Sequence, residues 1–345
     1  MKQLSVEVLD GPHRDLLEHA VSRVLHTDIA EVTYAQIVDG IPLSEVARDA
    51  RRRPPPQHPI HHAHKELCPG VRERTQEFRD GFSLKSIRFD SQALLAYLAA
   101  APGSRSFNTR LIELLAIAVH QIAVYLFRLD LGLHKDDGII EWAPPKSDDW
   151  YWQWHPDGPL HTLFLHTWYQ DHEQYPNGIA DVVGYWAEAR IFGGVVLFDR
   201  RKPKDGLDSD AVYLHPNGGD LTYRTCRLLP EQKQALVEFI SSPKACPDPL
   251  PILPDERNRE RVDPEEPLEE TGIFRNIWER KHRPVTHSDP RLKDVCDPVD
   301  YPTLVDKRDA QRRAKDWIRL IEQAEDERLA RLMDLDEEES EVSSW

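Results

Sequence analysis

The chain is poor in cysteine: its 345 residues include four, far apart in the sequence. They are Cys68, Cys226, Cys246 and Cys296. No two of them form a C-x-x-C pair, whereas a disulfide framework or a cysteine-rich zinc site uses close, paired spacing. We therefore expect reduced thiols in an intracellular protein, with a Cys226–Cys246 disulfide as the alternative.

The sequence also lacks the short motifs that mark common activities. It contains no P-loop, no G-x-G-x-x-G after a strand, no G-x-S-x-G, no H-E-x-x-H and no EF-hand loop. These absences leave no motif-based argument for nucleotide binding, hydrolase chemistry or calcium binding. We expect no cofactor.

Positive charge is in deficit, with 44 Lys and Arg against 60 Asp and Glu and a formal net charge of −16. A nucleic-acid binder draws its affinity from clustered Lys and Arg that neutralise phosphates. The charge balance therefore predicts no nucleic-acid partner.

Long apolar runs are scarce, and residues 111–129 form the one that imitates a membrane span. It contains Glu113, His120 and Arg128, which the centre of a bilayer would penalise. We interpret it as the core helix of a soluble protein without a membrane partner. The first residues lack the apolar stretch of a secretory signal, so we expect a cytoplasmic protein. The basic triplet at 51–53 leaves a nuclear location as the alternative.

Aromatic and apolar residues concentrate between positions 150 and 201. Partial alternation in 160–169 predicts a strand, and 195–198 predicts a buried strand. The stretch Ile179–Phe192 is open between strand and helix, and its β-branched and aromatic residues favour a strand. Residues 211–214 and 221–227 flank an Asn-Gly-Gly turn, which predicts an antiparallel hairpin.

Helices are predicted on both sides of this stretch from apolar spacing and capping residues. We expect them over 12–25, over a short piece of 44–53, from Asp90 or Ser91 to 101, from Asn108 or Thr109 to 129, and from Pro230 onward. By contrast, the charged segment around 72–82 is interpreted as a turn, followed by a short strand in 83–90.

Together these elements predict an α+β fold in which an antiparallel sheet packs against a long buried helix. Residues 1–54 form an N-terminal helical and linker segment, and 55–243 form the main domain. Residues 244–305 are a proline-rich, charged extension that wraps over the surface, docking through Ile273, Phe274, Ile277 and Trp278. Residues 306–345 form a charged terminal helix and an acidic tail.

The catalytic candidates lie in the aromatic stretch. His166, Glu188 and Asp199 are the weak candidates, because an imidazole or a carboxylate among aromatic rings has a shifted pKa that suits acid–base chemistry. The neighbouring His155, His161 and His172 are further bases, and Asp181 could orient them. For each of these residues, the alternative is a hydrogen-bonded structural role.

The aromatic rings themselves predict a ligand pocket. Its candidate residues are Trp152, Trp154, Trp168, Tyr185 and Trp186. The alternative is that they form only core. We expect no physiological metal site, although the cluster of His61, His62 and His64 is a weak alternative, since neutral imidazole is a good metal ligand.

Six stretches give the chain a resemblance to other sequences. They are SLKSIRFDSQ (83–92), RLIELLAIAVHQIAVYLFRLD (110–130), HKDDGI (134–139), GYWAEARIFGGVVLFDRR (184–201), TYRTCRLLPEQKQALVEFI (222–240) and NRERVDPEEPLEETGIFRNIWERK (258–281). In them the chain resembles a family of uncharacterised soluble proteins from filamentous fungi, over residues 55–305. The resemblance implies a stand-alone soluble protein linked to specialised metabolism, with no assigned activity.

Two functions follow from these features, and the sequence does not decide between them. The first is a non-catalytic binding or interaction protein whose partner is a protein or a small molecule. The second is an enzyme or ligand-binding accessory protein that acts on a small apolar or aromatic metabolite in the region 150–200. A closed pocket favours the second, and an exposed apolar patch favours the first.

Overall fold

The chain divides into two units, Met1–Lys281 and His282–Trp345, in this computed structural model. Eleven continuous ranges and a set of scattered positions are described. They are residues 3–49, 54–134, 137–148, 151–152, 160–201, 210–217, 222, 224–244, 246–262, 264 and 268–281, with scattered positions between 303 and 327.

The first unit begins with two capped helices. Helix α1 (Gly11–Leu25) starts after Asp10, whose side chain accepts from the backbone N–H of His13. Helix α2 (Asp28–Asp39) starts after Thr27, whose hydroxyl accepts from the backbone N–H of Ala30. The prediction of α1 is confirmed. Helix α2 lies in a stretch for which we predicted none.

Four short helices follow. They are α3 (Ser44–Asp49), α4 (Ile60–Ala63), α5 (Val71–Gly81) and α6 (Ser91–Ala99). The prediction of a turn around 72–82 is wrong, because α5 occupies this stretch. Its apolar signal is weak, since only Val71 and Thr75 are buried on it. Ion pairs from Arg72 and Arg79 to Glu31 on α2 attach it to the body.

Helix α7 (Arg105–Arg128) is the long buried helix. Ser104 caps it, with its hydroxyl accepting from the backbone N–H of Phe107, so the predicted start at Asn108 or Thr109 is one turn too late. The helix is long and apolar enough to cross a membrane, but 72% of its most apolar 18-residue stretch is buried inside the protein. This burial is the arrangement of a core helix in a soluble protein.

Helix α8 (Ile179–Phe192) packs along α7 and corrects the prediction of a strand there. Twelve of its fourteen residues are buried, and Gly193 ends it in the left-handed conformation at φ 91°. A helix that is buried all round shows no 3.6-residue period. Its β-branched and aromatic residues therefore reflect the core around them rather than a pleated strand.

A five-stranded antiparallel sheet packs against these helices. Its strands are β3 (Val195–Asp199), β4 (Val212–His215), β5 (Thr225–Arg227), β6 (Arg261–Val262) and β7 (Ile273–Phe274), in the order β6-β5-β4-β3-β7. A separate two-stranded pair joins β1 (Gln3–Leu4) to β2 (Phe89–Asp90). The α+β class, the hairpin partners β4 and β5, and the strand at 195–198 are confirmed. The predicted strand over 160–169 is wrong: these residues are turns and irregular backbone.

The segment after helix α9 (Pro230–Ser241) runs over the body in extended form. Ile252 donates its backbone N–H to the carbonyl of Phe192 at the end of α8, at 2.9 Å. The short helix α10 (Leu268–Thr271) then leads into β7. Ile273 docks as predicted, but the side chain of Ile277 is 47% exposed, so its predicted docking is wrong.

Among the described cysteines, Cys68, Cys226 and Cys246 are not joined to one another, so the alternative Cys226–Cys246 disulfide is wrong. Cys296 lies outside the described residues. In the second unit, Thr303 and Asp306 exchange capping hydrogen bonds, and the described positions between 304 and 327 are helical. The acidic tail lies outside the described residues.

Candidate metal centre and the buried charge network

Four metal-ligating side chains meet where α2 ends. They are Asp39, His64, Cys68 and His134, and one donor atom of each lies within 4.8 Å of the others. The carboxylate of Asp39 is fully buried, whereas the imidazole of His134 is 16% exposed. The cluster is therefore closed on the Asp39 side and reaches solvent on the His134 side.

A contact between two glycines brings His134 to this place. Gly40 ends α2 in the left-handed conformation at φ 108°, and a Cβ built on it would lie 3.0 Å from the Cα of Gly132. The backbone N–H of Leu133 donates to the carbonyl of Asp39 at 2.8 Å. Because neither glycine has a side chain, the loop after α7 can approach the end of α2 closely enough to place His134 beside Asp39.

Ser44 and Asp39 position the other two ligands. The hydroxyl of Ser44 donates toward the carbonyls of Ile60 and His64, at 2.6 and 2.8 Å, and so fixes the backbone of the turn after α4. The backbone N–H of Cys68 donates to Oδ2 of Asp39 at 2.9 Å. His64 is thus attached to Ser44, and Cys68 is attached to Asp39, the last residue of α2.

Hydrogen bonds on the outer side fix the tautomer of both imidazoles. Nδ1 of His64 lies 3.0 Å from the carbonyl oxygen of Pro42, and Nδ1 of His134 lies 2.5 Å from Oδ2 of Asp137. Both partners are acceptors, so each Nδ1 carries a hydrogen and each Nε2 of a neutral ring presents a lone pair inward. An outward Nδ1–H bonded to a carbonyl or carboxylate is the arrangement of histidines that ligate metals.

On the inner side of the cluster, hydrogen-bond acceptors of different residues face one another. Nε2 of His64 lies 2.9 Å from Oδ2 of Asp39, and Nε2 of His134 lies 3.4 Å from Sγ of Cys68. Oδ1 of Asp39 is buried and accepts no hydrogen bond from any described residue, and it lies 3.5 Å from Nε2 of His134. Such a set is stable only with protons or a cation among the donor atoms.

The spacing matches a tetrahedral zinc ion. Zinc bonds of about 2.0–2.3 Å to oxygen, nitrogen and sulfur give edges of about 3.4 Å between N and O and about 3.6 Å between N and S. The corresponding distances are 3.5 Å from His134 Nε2 to Asp39 Oδ1 and 3.4 Å from His134 Nε2 to Cys68 Sγ. These two distances fit a zinc ion, whereas the 2.9 Å between Nε2 of His64 and Oδ2 of Asp39 is a hydrogen-bond distance, so His64 would have to turn from Oδ2 toward the ion.

The ionisation of the cluster follows from burial and from these contacts. For Asp39, burial opposes the charge, but the hydrogen bonds from His64 and Cys68 outweigh it and lower the pKa. For His64, burial is again opposed by Asp39 and by the carbonyl of Pro42, and the pKa is raised. Burial and the Asp39 carboxylate both raise the pKa of the Cys68 thiol.

Of the three histidines predicted as a weak metal alternative, the structure brings His64 alone into the cluster. His61 directs Nε2 at the carbonyls of Pro54 and Pro55, and His62 is exposed. Asp39, Cys68 and His134 were missed. The four-residue step from His64 to Cys68 and the His134–Asp137 pair were the local signals in the sequence.

A second group of charges is buried between α7 and α8. Nε2 of His120 lies 3.0 Å from Oδ1 of Asp181, and Nδ1 lies 3.4 Å from Oε2 of Glu188. A Cβ on Gly184 would lie 2.6 Å from the ring of His120, so this glycine makes the room for the imidazole. His120 and Asp181 also line a cleft of about 110 Å³ that opens to solvent.

Arg275 completes this network from the C-terminal segment. Its guanidinium donates to Oε1 of Glu188 at 2.7 Å, and the same oxygen accepts the backbone N–H of Val196 at 2.8 Å. The Glu188 side chain is fully buried, and burial opposes its charge, but Arg275 and His120 hold its pKa below the usual range. The network thus joins α8, β3 and the residues after β7.

The network makes stability depend on pH. Burial opposes the charge of His120, but the bonds to Asp181 and Glu188 raise its pKa above 6.5. The charged imidazole therefore contributes its full share of the folding stability below pH 6.5. This contribution is lost as pH rises through the pKa of His120 in the folded protein. The pKa values of Asp181 and Glu188 are lowered from 3.8 and 4.5, so their contributions are present above those values and are lost as pH falls through the folded ones.

We expect the stability difference between the protein and its His120→Gln variant to shrink as pH rises from about 5 to 9. Glutamine can keep a hydrogen bond to Asp181 but cannot titrate. Urea unfolding of both proteins across this range measures the difference. A difference that is independent of pH would show that the pKa of His120 is the same in the folded and in the unfolded protein, and one that grows as pH rises would show that the folded pKa is lowered.

The other catalytic candidates occupy separate surroundings. Nε2 of His166 donates to the carbonyl of His215 at 3.1 Å while Nδ1 accepts from the backbone N–H of Trp168, and burial lowers its pKa to about 3. His166 is therefore neutral. Asp199 pairs with Arg201 at 2.6 Å at the end of β3. Of the three candidates His166, Glu188 and Asp199, only Glu188 lies in the network with His120.

The described histidines of the aromatic stretch lie in two separate places. The rings of His161 and His172 lie 4.4 Å apart, between their centroids, whereas His166 contacts Tyr169 and His215. His155 lies outside the described residues. The described members therefore do not form one catalytic cluster.

The predicted ligand-binding aromatics also separate. Tyr185 lines the cleft beside His120, and Trp186, the next residue of α8, lines a different cavity. Trp168 is buried near His215, and Trp152 donates its indole N–H to the carbonyl of Pro145. Trp154 lies outside the described residues.

Comparison with known proteins gives no relative. No protein-family model, no curated protein and no solved structure matches the chain. The two buried clusters and the cavities around α8 are therefore the features of the described residues that bear on function.

Proposed function

We propose that this protein is a zinc-binding protein in which one ion is held by Asp39, His64, Cys68 and His134. The observation that carries the proposal is the convergence of four donor atoms within 4.8 Å, with both imidazoles held from behind by acceptors. A thiolate, two imidazoles and one carboxylate suit zinc, whereas magnesium and calcium prefer oxygen ligands.

The role of the ion is structural. Four protein ligands close the coordination shell of a tetrahedral ion, whereas catalytic zinc keeps a position for water or substrate. The ligands come from the end of α2, the segment 64–68 and the loop after α7, so the ion crosslinks three parts of the first unit. Its thiolate must stay reduced, which favours the cytoplasm as the site of action.

Within this proposal the protein acts by binding. The burial of the charged network is typical of a stable scaffold. A second candidate function, acid–base catalysis at the cleft over His120, is favoured by the direct contact of this imidazole with Asp181 and Glu188.

Metal analysis of the untagged protein tests the proposal. We expect one zinc per chain by elemental analysis, with iron, copper and nickel measured in the same sample. Cys68→Ala and His134→Ala should lose the ion, because each removes one of four ligands. Cobalt(II) added to the metal-depleted protein should give a thiolate charge-transfer band that Cys68→Ala abolishes.

His62→Ala is the matched control, since His62 is exposed in the same histidine cluster and should keep the full zinc content. Circular dichroism establishes that each variant is folded. A wild-type protein that takes up neither zinc nor cobalt, or equal zinc content in Cys68→Ala and His62→Ala, would refute the proposal.

A further inference from the structure

A cavity of about 380 Å³ that opens to solvent lies on the other side of α8 from His120, and its wall contains an arginine that makes no hydrogen bond to any described residue. The cavity is lined by Trp186 and Arg190 of α8 and by residues of four other segments. The apolar ones are Ile29, Val46, Pro251 and Leu253. A volume of this size falls within the range of small-molecule sites.

Arg190 is poorly satisfied for a guanidinium that is mostly enclosed. Its side chain is 29% exposed, and its Nε is buried without a hydrogen-bond partner among the described residues. Among the described residues, Arg190 makes one ion pair, in which its Nη1 lies 3.8 Å from Oδ2 of Asp49, and the Asp49 side chain is 73% exposed. A long contact to a solvated carboxylate contributes little.

The charge of Arg190 persists in this setting. Burial lowers its pKa while Asp49 and Glu45 oppose the shift, but an arginine keeps its proton in proteins. Its donors form a planar fork that matches the two oxygens of a carboxylate. In the same wall the side-chain amide of Asn217 bonds to Thr167 and Leu165, and Asp49 contributes a largely solvated carboxylate, so Arg190 is the one cation among the described lining residues that can orient an anionic ligand.

Trp186 gives the cavity an aromatic wall. It precedes Arg190 by four residues, so both side chains lie on one face of α8. The opposite wall comes from the extended segment at 251–253, which Ile252 fixes to the carbonyl of Phe192 at 2.9 Å. The cavity thus combines one cation with apolar and aromatic surfaces.

We infer that this cavity binds an apolar or aromatic monocarboxylic acid, with the carboxylate on Arg190 and the apolar body against Trp186. A doubly charged phosphate would need a second cation, and Arg190 is the single Lys or Arg among the described residues that line the cavity. The inference is independent of the zinc proposal, because none of the four zinc ligands lines this cavity.

Calorimetry with three acids of increasing size tests the inference. Phenylacetate, 1-naphthylacetate and decanoate are titrated into the full-length protein, and 1-naphthylacetamide serves as the neutral counterpart of the second acid. We expect saturable binding of at least one acid. For the naphthyl pair, the acid should bind about 10- to 150-fold more tightly than the amide, since hydrogen bonds to a charged group distinguish them.

Arg190→Gln should remove this preference while leaving the amide affinity in place, because glutamine keeps the wall but not the charge. Arg190→Lys should give an intermediate preference, since an ammonium lacks the planar fork. Val46→Phe should weaken the acid and the amide alike by filling the cavity.

Arg72→Gln is the matched control, as Arg72 is exposed on α5 and pairs with Glu31 outside the cavity. It should bind like the wild type. Thermal melts establish that all variants are folded. Absence of saturable binding for all three acids, or an acid preference unchanged in Arg190→Gln, overturns the inference.

Discussion

Replacing Arg275 with methionine is expected to lower the free energy of unfolding by about 3–5 kcal/mol. Arg275 holds the carboxylate of Glu188, whose side chain is fully buried, at 2.7 Å. Without the guanidinium, this carboxylate would remain in the core facing a single imidazole. The loss measures the cost of an uncompensated buried charge rather than the strength of the ion pair.

Chemical denaturation measures this loss. Arg257→Met is the control, because Arg257 is 64% exposed and its pairs with Asp255 and Glu231 are screened by solvent, so the change should have little effect on the free energy of unfolding. The double variant Glu188→Gln with Arg275→Met should be more stable than Arg275→Met alone, since glutamine removes the stranded charge. A cost below that of Arg257→Met would contradict the account.

Removal of zinc by a chelator is expected to destabilise the first unit strongly. If zinc is buffered at roughly a thousand times its dissociation constant, binding to the folded state alone contributes about 4 kcal/mol. Chelation removes this contribution and leaves the acceptors of Asp39, His64 and His134 facing one another. Unfolding in zinc buffer and in chelator measures the difference.

Cys68→Ala supplies the control for chelation, because a protein without the thiolate ligand should unfold at nearly the same point in both solutions. Equal responses of the wild type and of Cys68→Ala would assign the chelator effect to another site. No response in the wild type would show that the four side chains share protons instead of a metal.

Elements with local signals were predictable from the sequence. Helix α1 and helix α9 carry apolar residues at helical spacing, and α9 starts at a proline where a helix tolerates the missing N–H. The hairpin partners β4 and β5 flank an Asn-Gly-Gly sequence. In each case a few consecutive residues contain the cause of the structure.

Elements determined by tertiary burial were not predictable in this way. Helix α8 is enclosed on nearly every side, so the alternation of polar and apolar residues that marks a surface helix is missing. Helix α5 shows the opposite difficulty: it buries little and is attached by ion pairs to Glu31, forty residues or more earlier in the chain.

The candidate sites follow the same division. The aromatic stretch drew attention to Glu188, Tyr185 and Trp186, which the structure places in the buried network or in the walls of the cavities around α8, but its described histidines do not form one cluster. The metal cluster combines residues 39, 64, 68 and 134, which become neighbours only through the fold. Arg190 has no local signal, since whether it finds a hydrogen-bond partner among the described residues depends on the walls that surround it.

The contact between Gly40 and Gly132 can form only after α7 has been synthesised, so the proposed zinc site is completed late in synthesis. Asp39, His64 and Cys68 leave the ribosome together, but the fourth ligand, His134, follows Cys68 by 66 residues, after the whole of α7. The nascent chain can therefore hold a metal in a three-ligand intermediate and seal it only when the loop after α7 arrives. Completion of the proposed coordination shell would then coincide with the docking of the long helix.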